Sequence, residues 1–360
     1  MSPIAKIESP DDPELARLGE RLNELAPQLE AANAWPAEQL DLCAQAGVFE
    51  WFLPQVHGGQ DWSEADIIRG YLQLAAGCLT TTFIITQRMG ACRRLAGCDN
   101  VGLQQEWLPP LLSGEKISTV GISHLTTSRR HLKKPVLAAE EQADGFLLSG
   151  YSPWVTGSTQ ADVVVIGATL PDGRQLLAAL PTDMPGVSTP PAAKLVGLSA
   201  SQTGPIQCDN VLLPHALLMA GPVEDVMSQG QGANTGGLQT STLAVGLASA
   251  AIRFLEGETE KRDELSPAAV ALRRDQAALE SDLLAAAAGE PACSSEELRT
   301  RANSLSLRAS QAALTAAKGA GYLIGHPAGR WCREALFFLV WSCPQPVLAA
   351  NLCELAGIQE

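Results

Sequence analysis

The feature that most constrains the fold is a change in hydrophobic period that occurs twice along the chain. In "PELARLGERLNELAPQLEAA", Leu15, Leu18, Leu22, Leu25 and Leu29 recur at steps of three and four. That spacing lays one apolar stripe along a helix. "AEQLDLCAQAGVFEWF" repeats the pattern up to Pro54, and "SEADIIRGYLQLAAGCLTTTFIITQRMGACRRL" follows a Gly-Gly turn with Ser63 placed to cap it. From about residue 117 to 220 the period shortens. "FLLSGYSPWVTG", "ADVVVIGATL", "RQLLAALP" and "IQCDNVLLP" are short β-rich runs separated by Gly, Pro, Asp and Asn, spaced as in a compact antiparallel barrel or sandwich. The helical period then returns in long Ala-rich stretches, with Ser294 or Ser295 and the following glutamates forming a capping-box start. The expectation is an α+β fold: a helical domain over 1–116, a small antiparallel β-barrel domain over 117–222 and a four-helix-type bundle over 223–360.

Composition removes several function classes. With 360 residues, 46% hydrophobic and 18% charged, the chain is globular rather than disordered or coiled-coil. A formal charge of −14 opposes nucleic acid and anionic lipid as partners. The N-terminal stretch lacks a basic start followed by an apolar core, and no run reaches the roughly 18 uninterrupted apolar residues of a membrane span. A cytoplasmic location is therefore expected. Nine cysteines form no CxxC pair and five histidines no HExxH or HxH spacing, so no metal site is expected and most cysteines read as small buried hydrophobes. GxGxxG follows none of the strand-like runs, which disfavours a Rossmann dinucleotide fold.

Trp154 and Thr156, two apart in "WVTG", share one face of an extended segment at the mouth of the β region. Four further segments accompany them: "WPAEQLDLCAQAGVFEWFLPQVHGGQDWS", "LQQEWLPPLLSGEKISTVGIS", "GLSASQTGPIQCDNVLLP" and "KGAGYLIGHPAGRWCREA". In this order, with the Trp-Val-Thr triplet, they resemble the acyl-CoA dehydrogenase family of flavoproteins over nearly the whole chain. The resemblance implies that Trp154, Val155 and Thr156, together with Ile122 and Ser123, contact the flavin ring. By the same resemblance, Arg262, Gly319 and Gly321 lie on the phosphate side of the cofactor. FAD is the implied cofactor, with FMN an alternative.

The sequence departs from the family pattern where proton abstraction is expected. Counting on from Arg333-Glu334-Ala335, the usual catalytic Glu position falls at Ser342; the alternative position, in the first helix of the C-terminal region, falls at Gln239. Neither side chain accepts a proton at neutral pH. Glu334, Glu354 and His124 remain candidates, His124 lying in "SHLTTSR" where the family has an acidic residue. The "R..FG" motif is reduced to Arg262, and Lys318 stands where the last helices approach each other. The function expected from the resemblance is flavin-dependent α,β-dehydrogenation of an acyl-CoA or related acyl substrate. Two alternatives are a reduced-flavin monooxygenase on the same scaffold and a non-catalytic binding or assembly homologue. Electron-transfer flavoprotein or a flavin reductase is the implied partner, and a homodimer or homotetramer the implied assembly.

Overall fold

A computed structural model describes residues 4–32, 34–126, 135–228 and 237–358, the side chains of 30–32 excepted. The helices before the sheet are α1 (Pro13–Ala32), α2 (Ala37–Gln45), α3 (Glu64–Gly77), α4 (Leu79–Ala96) and α5 (Val101–Leu112). The central region holds β1 (Ser118–Gly121), the single-turn α6 (Ser123–Thr126), β2 (Leu137–Gln142), β3 (Gly145–Val155), β4 (Val163–Thr169), β5 (Gln175–Pro181), β6 (Val187–Ser188), β7 (Gly204–Pro214) and β8 (Leu218–Val223). After it come α7 (Leu238–Thr259), α8 (Ser266–Ala287), α9 (Ser295–Ala317), α10 (Pro327–Ala335) and α11 (Gln345–Leu355).

The caps read from sequence are present. Ser63 accepts from the Asp66 amide and Ser294 from the Glu297 amide, each filling one orphan donor of a first turn. Two helices are shorter than their periodic stretches. α2 ends at Gln45 because Gly47 takes φ +75°, and the long stretch from Glu64 breaks at an extended Cys78. The break follows a close backbone crossing, since a Cβ on Gly77 would lie 2.6 Å from the Gly19 carbonyl oxygen on α1.

The strands form one sheet in the order β6-β7-β3-β2-β4-β5-β8, with β1 pairing β4. Most pairs are antiparallel; β1 and β2 run parallel to β4. β4 is buried on both faces, which explains its unbroken apolar sequence. Val163 and Val165 join a core built by helices from both ends of the chain, whereas Val164, Ile166 and Ala168 join a second core inside the sheet region with Leu148, Ile206 and Val211. One helical core therefore spans α1 to α5 and α7 to α10, and the sheet keeps an interior of its own.

α7 is the axis of the helical core. It is long and apolar enough by length and composition to cross a membrane, yet 78% of its most apolar window is buried inside the protein. Gly246 sits where α7 meets α3; a Cβ there would come 2.7 Å from Ala75 Cβ and 2.9 Å from the Leu72 carbonyl oxygen. The missing side chain is what lets the two backbones approach so closely.

Candidate active site at the end of β3

Gly121, the last residue of β1, packs against β3: a Cβ on it would lie 3.0 Å from Ser152 Oγ and 3.3 Å from Val155 Cγ2. The ends of β1 and β3 thus meet, bringing Ile122 and Ser123 beside Trp154, Val155 and Thr156. Ile122, Val155 and Thr156 are buried, while the Trp154 indole is 52% exposed at the mouth. A bulky aromatic left uncovered at a strand end is a platform for a flat partner.

The hydroxyls here are ordered from behind. Ser201 and Thr203 share a hydrogen bond of 2.8 Å, and the Thr203 hydroxyl donates to Thr156 Oγ1 at 3.4 Å. The Gly157 amide donates to the Ser201 carbonyl at 2.8 Å, and that of Ser158 to the Gln202 carbonyl at 3.1 Å. The segment 198–203 is thereby strapped to the end of β3. Thr156 accepts from Thr203 and keeps its own proton for another acceptor. Ser123 Oγ is buried with no hydrogen-bond partner among the described residues, an unmet demand that a bound polar group would satisfy.

His124 is held on β4: its ring is buried, with Nε2 donating to the Gly167 carbonyl at 2.8 Å, and burial lowers its pKa from the ordinary value. Residues 127–129, the rest of "SHLTTSR", lie outside the described residues.

The two positions counted as base sites hold no carboxylate. Gln239 is half-buried in the first turn of α7. Ser342 is half-buried at φ +44°, at the end of a loop held from two sides. From α9, Arg299 donates to the carbonyls of Phe338 at 3.3 Å and Trp341 at 2.8 Å, and Asn303 donates to that of Phe338 at 3.2 Å. From α4, Phe83 packs edge-on against Phe337 and Trp341 at centroid distances of 4.9 and 5.0 Å. Burial brings the Arg299 guanidinium down to about 10. None of Phe83, Arg299 or Asn303 was singled out in the sequence. The available signal was Arg and Asn four apart on a buried, otherwise small and apolar helix face.

The remaining candidates lie apart. Glu334 is 3% exposed on α10, where Thr80 donates to it at 3.4 Å and Arg330 stands 3.8 Å away. Glu354 is exposed on α11 and accepts from Ser304. Arg262 is engaged within the chain, pairing with Glu258 and donating to the Ala316 carbonyl at 2.7 Å. Lys318 and Gly319 are exposed and Gly321 is buried in the turn after α9. Among the described residues no cluster of three His, Cys, Asp or Glu side chains is placed to hold a metal ion.

A mixed sheet set between two helical regions that share a core is the fold of solved acyl-CoA dehydrogenases. Residues 17–115 match the family model "Acyl-CoA dehydrogenase, N-terminal domain". Glutaryl-CoA dehydrogenase of Desulfococcus multivorans is 26% identical over 237 residues, covering 63% of this chain and 60% of that protein. The mitochondrial short-chain specific acyl-CoA dehydrogenase of Rattus norvegicus is 22% identical over 336 residues, 86% of this chain and 80% of that protein. Among solved structures, a glutaryl-coenzyme A dehydrogenase in complex with glutaryl-CoA superposes with a TM-score of 0.82 at 18% identity, covering 97% of this chain and 96% of that one. A glutaryl-CoA dehydrogenase from Mycobacterium smegmatis in complex with FADH2 also gives 0.82, at 17% identity over 96% of this chain and 95% of that one. The family model and the curated relatives indicate the acyl-CoA dehydrogenase family, and the solved structures share its fold.

Proposed function

We propose that the chain is a flavin-dependent oxidoreductase acting on an acyl-CoA or a related acyl substrate, with FAD held at the end of β3. The observation that carries this reading is the convergence there of an exposed indole, a Thr156 hydroxyl with its proton free and a buried Ser123 hydroxyl lacking a partner. The similarity to proteins solved with glutaryl-CoA and with FADH2 supports it. Ile122, Ser123, Trp154, Val155 and Thr156 would hold the ring. On the phosphate side the support is thinner, because Arg262 is spent on Glu258 and the Ala316 carbonyl. Gly319 and Gly321 remain as backbone contacts there, and FMN stays a competitor.

Bound flavin supplies a hydride acceptor for an acyl carbon. The chain's residues would bind and orient it: the Thr156 and Ser123 hydroxyls would donate toward ring acceptors, and the Trp154 indole would keep water from one side. Fixed donors of this kind favour developing negative charge without reorganising. Abstraction of an α-proton needs a base. Ser342 and Gln239 cannot provide one, and Glu334 is a buried carboxyl on a different wall. That absence favours a second reading, oxygen chemistry on flavin reduced by a partner reductase, which requires no α-proton acceptor. An electron-transfer flavoprotein would serve the first reading. The exposed apolar Tyr322, Leu323 and Ile324, 87%, 67% and 87% accessible, support a homo-oligomer that covers them.

The test is the visible spectrum of the purified protein after addition of FAD or FMN, then anaerobic addition of a panel of acyl-CoAs. Bleaching of bound flavin supports dehydrogenation. Flavin that binds and stays oxidised moves the assignment to the reductase-fed reaction, and failure to retain either flavin leaves a non-catalytic role. Ser342→Glu returns a carboxylate to the family's base position, and we expect it to bleach faster than the parent chain.

A further inference from the structure

A cavity of about 170 Å3 lies where α1, the start of α4, the segment 195–200 and α10 meet. It is comparable in size to the roughly 150 Å3 engineered cavity that accepts benzene, so it has room for a molecule of about six heavy atoms. One wall is apolar, made by Ala26, Leu29, Leu195 and Val196. Val196 is 72% exposed and marks the mouth.

Arg330, Arg333 and Glu334 also line the cavity, and one of these side chains, Arg330, is only partly satisfied. Arg330 is buried, yet its Nε stands 3.8 Å from Glu334 Oε2, beyond hydrogen-bonding reach, and its Nη1 has no hydrogen-bond partner among the described residues. Burial also pushes the Glu334 carboxyl above its ordinary value, toward the protonated form that neutralises no guanidinium. A buried guanidinium N–H with no acceptor is costly, and an oxyanion is the group that would relieve it. Much of the remaining lining is hydrocarbon, which an inorganic anion would leave unfilled.

We propose that this cavity binds a short-chain monocarboxylate, its carboxylate on the Arg330 guanidinium and its aliphatic tail against Ala26, Leu29, Leu195 and Val196. The site is distinct from the end of β3. Leu198, Ser199 and Ala200 line the cavity, whereas Ser201 and Thr203 of the same segment turn to Thr156 and its neighbours. The proposal does not depend on flavin.

The experiment is calorimetric titration of the full chain, without added cofactor, by sodium acetate, butyrate and octanoate, with sodium phosphate in parallel. The expected result is saturable single-site binding that is strongest for butyrate and not displaced by phosphate. Two variants carry the site assignment. Ala26→Leu fills the apolar wall and Arg330→Gln removes the guanidinium, and each is expected to weaken butyrate roughly tenfold. Absence of saturable binding, affinity that keeps rising to octanoate, or butyrate binding unchanged in Ala26→Leu would overturn the proposal. Phosphate binding that displaces butyrate would also overturn it, in favour of a bare oxyanion site. Should either variant fail to fold, the chain-length series on the unaltered protein still decides.

Discussion

At the scale of single residues, two buried titratable groups give the stability a defined pH dependence. Burial holds the Glu334 carboxyl above its ordinary 4.5, against the pull of Arg330, Arg333 and Thr80. The folded protein keeps a proton that the unfolded chain has released, so this contribution is full below 4.5 and is lost as pH rises through the folded value. His124 acts in the opposite sense. Its folded value lies below 6.5, so its contribution is present above 6.5 and is lost as pH falls through the folded value. Urea midpoints measured across pH should therefore carry two opposed contributions, one lost as pH rises through the folded Glu334 value and one lost as it falls through the folded His124 value. Glu334→Gln should remove the first and His124→Gln the second; a profile unchanged by Glu334→Gln would show that another group sets it. Thr156→Val removes the hydroxyl offered to a ring acceptor and leaves the Thr203 proton without its acceptor. We expect flavin to be held about 1 kcal/mol less tightly, read as a shift in the absorbance titration.

At the scale of elements, close approach rather than propensity decides the packing. Gly246→Ala puts a methyl group 2.7 Å from Ala75 Cβ and 2.9 Å from the Leu72 carbonyl oxygen. It should cost about 1–3 kcal/mol although alanine is the better helix former, visible as a lower urea midpoint at unchanged slope. Arg299→Met frees the Trp341 carbonyl and leaves that of Phe338 to Asn303 alone, so faster proteolysis within 336–342 is expected with the rest of the chain intact. How legible these elements were in the sequence follows from what each signal measures. Leucine spacing revealed α1 to the residue, since a stripe records burial along one helix. It overran α2 and missed the break at Cys78, because those ends are set by Gly47 and by the Gly19–Gly77 crossing, contacts between distant residues. β4, β5 and β7 were visible as apolar or alternating runs. β1 and β2 were not, being four and six residues long and recruited to a parallel pairing with β4 that no local pattern encodes. Trp154 and Thr156 were legible as a site only through the family resemblance; the Ser201–Thr203 support behind Thr156 comes from a strand partner outside any local pattern.

At the scale of the whole molecule, two surfaces and one core carry expectations. The turn with Tyr322, Leu323 and Ile324 and the exposed Leu352, Leu355 and Ile358 of the last helical segment leave more apolar surface than a monomer needs. Sedimentation should show a species heavier than one chain, and Ile324→Glu should shift it toward the monomer; a monomer in the unaltered protein would remove that reading. The shared helical core has a consequence for how the chain is made. α3 and α4 leave the ribosome well before α7, their main partner across the sheet insertion, has been translated. At roughly 5–20 residues per second their apolar faces wait on the order of ten to thirty seconds, while the sheet, with its own interior, can close in the meantime. During synthesis the first helices are therefore the part of this protein that most needs a chaperone's cover, and slowing translation between residues 112 and 238 should lower the soluble yield more than slowing it after α9.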